Sequence, residues 1–353
     1  MVLKILGLTK SFPGFTLGPL TLSIEKEIMV MIGPTGSGKT TALNLIAGLT
    51  KPDNGSITLD GLDITELPVE SRRIGYVFQS PTLFPHLNVF ENIIFGLHKR
   101  ARQEKNNQVK KLLDDLGILH LSDRTVQGLS GGEMQKVSLA RMLAVEPKII
   151  LLDEPLAHLD PPTRRKLRLD LRRVLRRHQV PAIYVTHFEE DVYGLADSVA
   201  VLRDGMIENI GSLEEMLTSK ASPFISETLE ESNYIEGKVI ESKRSITVIK
   251  VGSHLLETLG EYDAGSRIGV VVRPEEIILS KEAVKTSARN VIRAEVVEME
   301  YGASIADVRL RTDSLHLRAR VTEDARNDLG INKGDHLYAI FKATSPQVVR
   351  EET

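Results

Sequence analysis

Gly33-Pro34-Thr35-Gly36-Ser37-Gly38-Lys39-Thr40 is the stretch that decides the fold. It matches G-x-x-x-x-G-K-[ST] in full. Apolar Ile28-Met29-Val30-Met31-Ile32 precedes it, and Ala42-Leu43-Asn44-Leu45-Ile46 follows with a helical pattern. A buried strand that ends in a glycine-rich loop and opens a helix is the context this pattern requires. Glycines let backbone N–H groups turn inward around phosphate oxygens without Cβ clashes. The helix N-terminus adds its partial positive charge. Lys39 has the reach for β- and γ-phosphates, and the Thr40 hydroxyl suits a Mg²⁺ shell.

Many nucleotide-binding proteins carry such a loop, so later residues must narrow the reading. Leu129-Ser130-Gly131-Gly132-Glu133 opens a helical run, and Ile149-Ile150-Leu151-Leu152-Asp153-Glu154-Pro155 follows it. Four apolar residues before an acidic pair predict a buried strand that delivers Asp153 and Glu154 at its C-terminal end. Ligands of open α/β sheets bind at that end. Asp153 suits the Mg²⁺ shell, and Glu154 suits polarising an attacking water. The bland alternative is a capped turn after a core strand.

With these residues in order, the chain resembles the ATP-binding subunits of ABC transporters. The resemblance runs through the phosphate loop, Gln79 after Ile74-Gly75-Tyr76-Val77-Phe78, the 129–133 signature, Asp153-Glu154, Leu159-Asp160, and His187 in Tyr184-Val185-Thr186-His187. It implies an α/β P-loop ATPase core with an inserted helical subdomain. ATP would lie against Gly33, Pro34, Thr35, Gly36, Ser37, Gly38, Lys39, Thr40 and Thr41, with Phe12 stacked on adenine and Phe15 as the next candidate. Thr40, Gln79 and Asp153 would hold Mg²⁺. Glu154, His187 and Gln79 would serve catalysis. Two subunits would pair head to tail, so that Ser130, Gly131, Gly132 and Glu133 of one cap the γ-phosphate held by the other. Asp160 would relay between the two sites, and it also reads as a helix N-cap before Pro161-Pro162. Four positions depart from the family pattern: Glu133 replaces Gln, Phe188 replaces Asp, Ala157-His158 replaces Ser-Ala, and Glu25-Lys26-Glu27 lacks a Gly. None removes a phosphate or metal contact, so an active ATPase is expected, not a nucleotide site that has lost its chemistry. Repair and translation members of the family carry coiled-coil insertions or a second cassette, and neither is visible here.

Composition agrees. The 353 residues exceed one ordinary domain, and 41% hydrophobic content supports buried cores. A net charge of −3 does not indicate binding to nucleic acid. There is no cysteine, hence no disulfide framework. Apolar runs fall far short of the ~20 residues that span a bilayer, and the N-terminus lacks a secretory pattern. The resemblance therefore implies a peripheral protein on the cytoplasmic face of the membrane, bound to separate permease subunits that a solute-binding protein supplies. The loop Gln79-Ser80-Pro81-Thr82-Leu83-Phe84-Pro85-His86-Leu87-Asn88-Val89 is the expected permease dock. Leu167, Leu171, Val174 and Leu175 form one helical stripe, so the arginines between Arg164 and Arg177 are expected on solvated faces.

The pattern changes near residue 230, which sets expected domains at 1–230 (helical part about 88–145) and 231–353, with residues 218–234 as the connection. Beyond it, Leu315, Leu317, Ala319 and Val321 alternate with polar residues at period two. Residues 237–279 and 293–343 look like repeats, which suggests small OB-like β-barrels and an all-β C-terminal domain. Residues 284–350 resemble the oxyanion-binding barrel attached to molybdate and tungstate importers, carried by Thr286-Ser287-Ala288-Arg289-Asn290 and Phe341-Lys342-Ala343-Thr344. That resemblance implies a molybdate or tungstate ligand held by Ser287, Arg289, Asn290 and Lys342 between two tails, and import of the same anions. A barrel that only strengthens dimerisation is the alternative, and sulfate, polyamine, iron or sugar are the rival solutes.

Overall fold

Five consecutive apolar residues form β3 (Ile28–Ile32), buried along its whole length, as a strand covered on both faces must be. In the computed structural model, which describes residues 3–97, 102–218, 232–301 and 304–352, β3 lies inside a six-stranded sheet. Its companions are β6 (Ile74–Val77), β7 (Ile149–Asp153), β8 (Ala182–Val185), β9 (Ser198–Arg203) and β10 (Met206–Ser212). The order is β10-β9-β3-β8-β7-β6, and all pairs are parallel except β10 with β9. A second, antiparallel sheet runs β2-β1-β4-β5, from β1 (Leu3–Phe12), β2 (Phe15–Ile24), β4 (Asn54–Leu59) and β5 (Leu62–Asp63). Helix α1 (Lys39–Ala47) joins both sheets in one core, where Ile5, Leu22 and Ile57 meet Leu43, Ile46, Met31 and Val185.

Among the described residues three α-helices stand between β6 and β7: α2 (Val89–Ile94), α3 (Arg102–Asp115) and α4 (Gly131–Ala144). After β7 comes α5 (Pro161–His178), then α6 (Glu189–Leu195) and α7 (Leu213–Thr218). On α5 the solvated-arginine expectation needs correction. Arg168 and Arg172 are buried, one turn apart, and bond to Asp191 and Asp197 at 3.1 and 3.2 Å. Arg176 and Arg177 pair with Asp197 and Asp115. The correction applies to the buried pair, while Arg173, Arg176 and Arg177 keep about half or more of their side chains exposed, as the stripe implied.

Contacts divide the chain into two compact units, Met1–Phe224 and Ile225–Thr353. Most of the expected connection, residues 219–231, lies outside the described residues. The second unit has two five-stranded antiparallel sheets. One is β13-β12-β11-β14-β20, from β11 (Asn233–Lys243), β12 (Ile246–Val251), β13 (His254–Leu259), β14 (Arg267–Val272) and β20 (Gln347–Glu352). The other is β15-β19-β16-β17-β18, from β15 (Ile278–Ser280), β16 (Asn290–Tyr301), β17 (Ile305–Arg311), β18 (His316–Thr322) and β19 (His336–Phe341). Helix α8 (Glu323–Leu329) links β18 to β19. Each repeat has the order third-second-first-fourth, and each sheet takes its fifth strand from the other half of the chain. Ile235, Val270 and Ile268 share one apolar core with Ile292, Phe341 and Val348. The repeats are therefore halves of one folding unit. The segment 284–350 is not self-contained, because β20 pairs with β14.

Candidate functional site

The phosphate loop closes the gap between β3 and α1. At Gly33 an added Cβ would overlap the Leu202 carbonyl on β9. At Gly38, φ 102°, it would strike Leu17 and the Phe15 ring. Both positions exclude other residues, for lack of space and, at Gly38, for backbone strain. No side chain caps α1, so its first N–H groups have no side-chain partner, as an anion site requires. The buried Ser37 hydroxyl has no hydrogen-bond partner. Lys39 folds back and donates to the carbonyls of Gly33 and Pro34 at 2.8 and 2.9 Å. Burial draws its ammonium pKa down, partly offset by Glu154 and Asp153. Polar groups with incomplete partners, around a loop that only glycine can form, fit a polyphosphate.

A cavity of about 370 Å³ adjoins this loop, lined by Pro34, Thr35, Gly36 and Ser37 together with Phe15 and Asp204. Phe12, the expected adenine partner, is 40% exposed at the end of β1 and is paired across the hairpin with Phe15. Phe15, the reserve candidate, is the aromatic residue on the cavity wall. Thr41 follows Thr40 in the first turn of α1.

Parallel pairing of β7 with β8 sets Asp153 opposite Val185, so the acidic pair and His187 leave the sheet at one edge. Asp153 Oδ1 accepts from the Thr40 hydroxyl at 3.1 Å. Its Oδ2 lies 3.3 Å from the Tyr76 hydroxyl, itself 3.2 Å from Asn44 Oδ1. Burial pushes the Asp153 carboxyl pKa up, against the bonds from Thr40 and Tyr76. Burial and the nearby carboxylate push the Tyr76 phenol up as well. A desolvated carboxylate beside a hydroxyl fits a hard divalent cation. Gln79 is exposed, two residues beyond β6 and at the same sheet edge, since Val77 faces Leu152. Glu154 sits at φ 44°, a strained left-handed conformation, with its N–H donating to Val185 O at 3.0 Å. Its Oε2 is 3.2 Å from His187 Nδ1.

Ser130 is the N-cap of α4. Its N–H and hydroxyl both donate to Glu133 Oε2, at 2.7 and 2.8 Å, in a capping box. These bonds hold the Glu133 carboxyl below its usual range. Gly131 and Gly132 face Leu159 and Thr163, where an added Cβ at Gly132 would come within 2.7 Å of the Thr163 methyl. Asp160 caps α5 by accepting from Thr163 N at 3.1 Å, which draws its pKa down.

The tail residues expected to hold an anion between two tails have the following partners within one chain. Asn290 is buried, and its amide is committed to backbone: Oδ1 accepts from Glu257 N at 2.7 Å, and Nδ2 donates to Glu257 O at 3.0 Å and Lys342 O at 3.4 Å. Arg289 faces the Glu257 carboxylate at 3.3 Å. The acid offsets the charge of the expected cation, whose side chain is 64% exposed, and Ser287 and Lys342 are exposed as well. Asn233 makes the matching clamp in the other repeat, accepting from Arg318 N and donating to Arg318 O and Val272 O. Pattern reading missed this pairing because the two asparagines differ in neighbours and agree only in place.

Sequence reading also missed Asn44, Tyr76 and Asp204. Tyr76 and Asn44 had a usable signal. Tyr76 lies near the C-terminal end of β6, three residues before Gln79, and Asn44 is one turn after Thr40.

The family described as ABC transporter matches residues 17–157, and that described as TOBE domain matches residues 286–346. The molybdate/tungstate import ATP-binding protein of Pyrococcus horikoshii is 38% identical over 350 residues, covering 98% of this chain and 99% of that protein. The sulfate/thiosulfate import ATP-binding protein of Bacillus cereus is 37% identical over 352 residues, 96% of each. Among solved structures, a nucleotide-free ATP-binding cassette from an ABC transporter superposes with a TM-score of 0.57 at 27% identity, covering 64% of this chain and 98% of that one. Among the described residues no helix is long and apolar enough to cross a membrane.

Proposed function

The chain belongs to the ATP-binding subunits of ABC transporters, and from that premise we propose that it powers import of molybdate or tungstate. It acts as a homodimer on the cytoplasmic face of the membrane, beneath permease subunits that a solute-binding protein supplies. One observation carries the substrate reading: likeness to the Pyrococcus horikoshii molybdate/tungstate protein extends over 98% of the chain, tail included. Sulfate is the rival, because the Bacillus cereus relative is similar over a comparable span and sulfate is also a tetrahedral dianion.

In this reading Lys39 exchanges the carbonyls of Gly33 and Pro34 for β- and γ-phosphate oxygens, while loop N–H groups from Gly36 to Thr40 hold the chain of phosphates. Phe15 carries the base. Thr40, Asp153 and Gln79 would hold Mg²⁺, which when bound would offset charge on the phosphates. Glu154 takes the proton of the attacking water, and His187 fixes the carboxylate that does so. Ser130, Gly131 and Gly132 of the second subunit face the γ-phosphate, and Asp160 lies at the seam.

Calorimetric titration of the full chain with molybdate, tungstate and sulfate tests the substrate. Heat from the first two and none from sulfate is expected, with loss of that heat when Ser287 and Lys342 are both replaced by Ala. Binding of sulfate alone moves the chain to sulfate import.

A further inference from the structure

We propose that Phe188 and Arg164 are positioning residues for His187, forming a stack through which the loop after the acidic strand sets the imidazole. This rests on the reading of His187 as the residue that fixes Glu154.

The imidazole is 52% exposed, so its own burial does not orient it. The Phe188 ring lies against it, with centroids 4.0 Å apart and planes tilted by 38°. The Arg164 guanidinium covers the Phe188 ring, its Cζ 3.7 Å from the centroid. Arg164 also donates to Leu159 O at 2.9 Å and Ala157 O at 3.4 Å. The backbone of Phe188 is held too. Its N–H donates to the Thr186 hydroxyl at 3.0 Å, and that hydroxyl donates to buried Asp191 at 3.1 Å.

Two consequences follow. First, His187 is clamped from one direction by Glu154 and through Phe188 by α5. Second, Arg164 touches the carbonyls of the 157–159 turn and, through one ring, the imidazole. A shift of that turn moves the guanidinium, and the stack passes the shift to His187. The phosphate loop takes no part, so the stack acts on turnover and not on nucleotide affinity.

Steady-state ATP hydrolysis by the full chain, with thermal midpoints as the folding control, tests this. Phe188→Ala should lower kcat roughly tenfold and leave the KM for ATP within about twofold, as expected when a catalytic group is misplaced. Phe188→Tyr should keep kcat within about threefold of the parent, because the ring that makes both contacts is retained. Arg164→Ala by itself should lower kcat in the same direction, because the ring loses the cation packed on its far face. If Phe188→Ala unfolds, Phe188→Leu and Arg164→Ala carry the test. Parental turnover in Phe188→Ala while His187→Ala is inactive overturns the stack and leaves the His187 reading standing. So does parental turnover in Arg164→Ala. Parental turnover in His187→Ala overturns the underlying reading of His187, and the stack with it.

Discussion

His187 Nδ1 stands 3.2 Å from Glu154 Oε2, two side chains that follow the adjacent strands β7 and β8 and are brought together by their parallel pairing. In the proposed reading the contact joins the base to the group that holds it still. Glu154→Gln keeps the shape and removes the basicity. Hydrolysis should fall by roughly 10²-fold or more, while ATP still binds and closed dimers accumulate on size exclusion. Brisk turnover in that variant would remove Glu154 as the base.

Lys39 is bonded to the two carbonyls of the loop it serves. Lys39→Ala should therefore weaken ATP binding at least tenfold and also loosen residues 33–38. Nucleotide titration reads the first effect, and faster amide exchange in the loop reads the second.

Glu133 holds both donors of Ser130 with a carboxylate kept ionised below its usual range. If Ser130 of one subunit meets the phosphate of the other, that carboxylate competes with it and repels it. Glu133→Gln should lower the ATP concentration needed for dimerisation severalfold, measured by light scattering in the Glu154→Gln background. An unchanged midpoint would mean that the capping box opens at no cost.

Asp153 has a folded-state pKa raised by burial. For such a carboxyl, any stabilisation is fully present below the unfolded pKa and is lost as pH rises through the folded one. At neutral pH the ionised group therefore weighs against folding. Asp153→Asn should raise the thermal midpoint by about 2–4 °C, on the order of 1 kcal/mol, and abolish Mg²⁺-dependent hydrolysis. Melting the parent at falling pH should show part of the same gain, and excess Mg²⁺ should stabilise the parent but not the variant.

Asn290 satisfies the N–H and C=O of Glu257 from inside the tail. Asn290→Ala leaves both groups unpaired at a cost of about 2 kcal/mol. Amide exchange at β13 should accelerate about thirtyfold. Unchanged exchange together with altered molybdate binding would instead place Asn290 at an anion.

Phosphate binding, the acidic strand and the order of motifs were legible in the chain because each depends on neighbours in sequence. A glycine at a turn, an apolar strand and a lysine one residue into a helix are local geometry. The alternation in β18 predicted a half-buried strand for the same reason. What burial and partners decide was not legible. The arginines of α5 have a solvated pattern, yet Arg168 and Arg172 face acids supplied by α6 and the turn after it. The family pattern put Phe12 ahead of Phe15, and only the hairpin that pairs them puts Phe15 on the cavity wall. Asn290 is a ready anion donor until β13 arrives with Glu257, whose backbone takes up its amide. Sequence by itself determined which groups could touch a phosphate, since backbone geometry is local. Tertiary structure alone decided which polar groups remain available to a ligand, since availability depends on every other group that folding brings within hydrogen-bond reach.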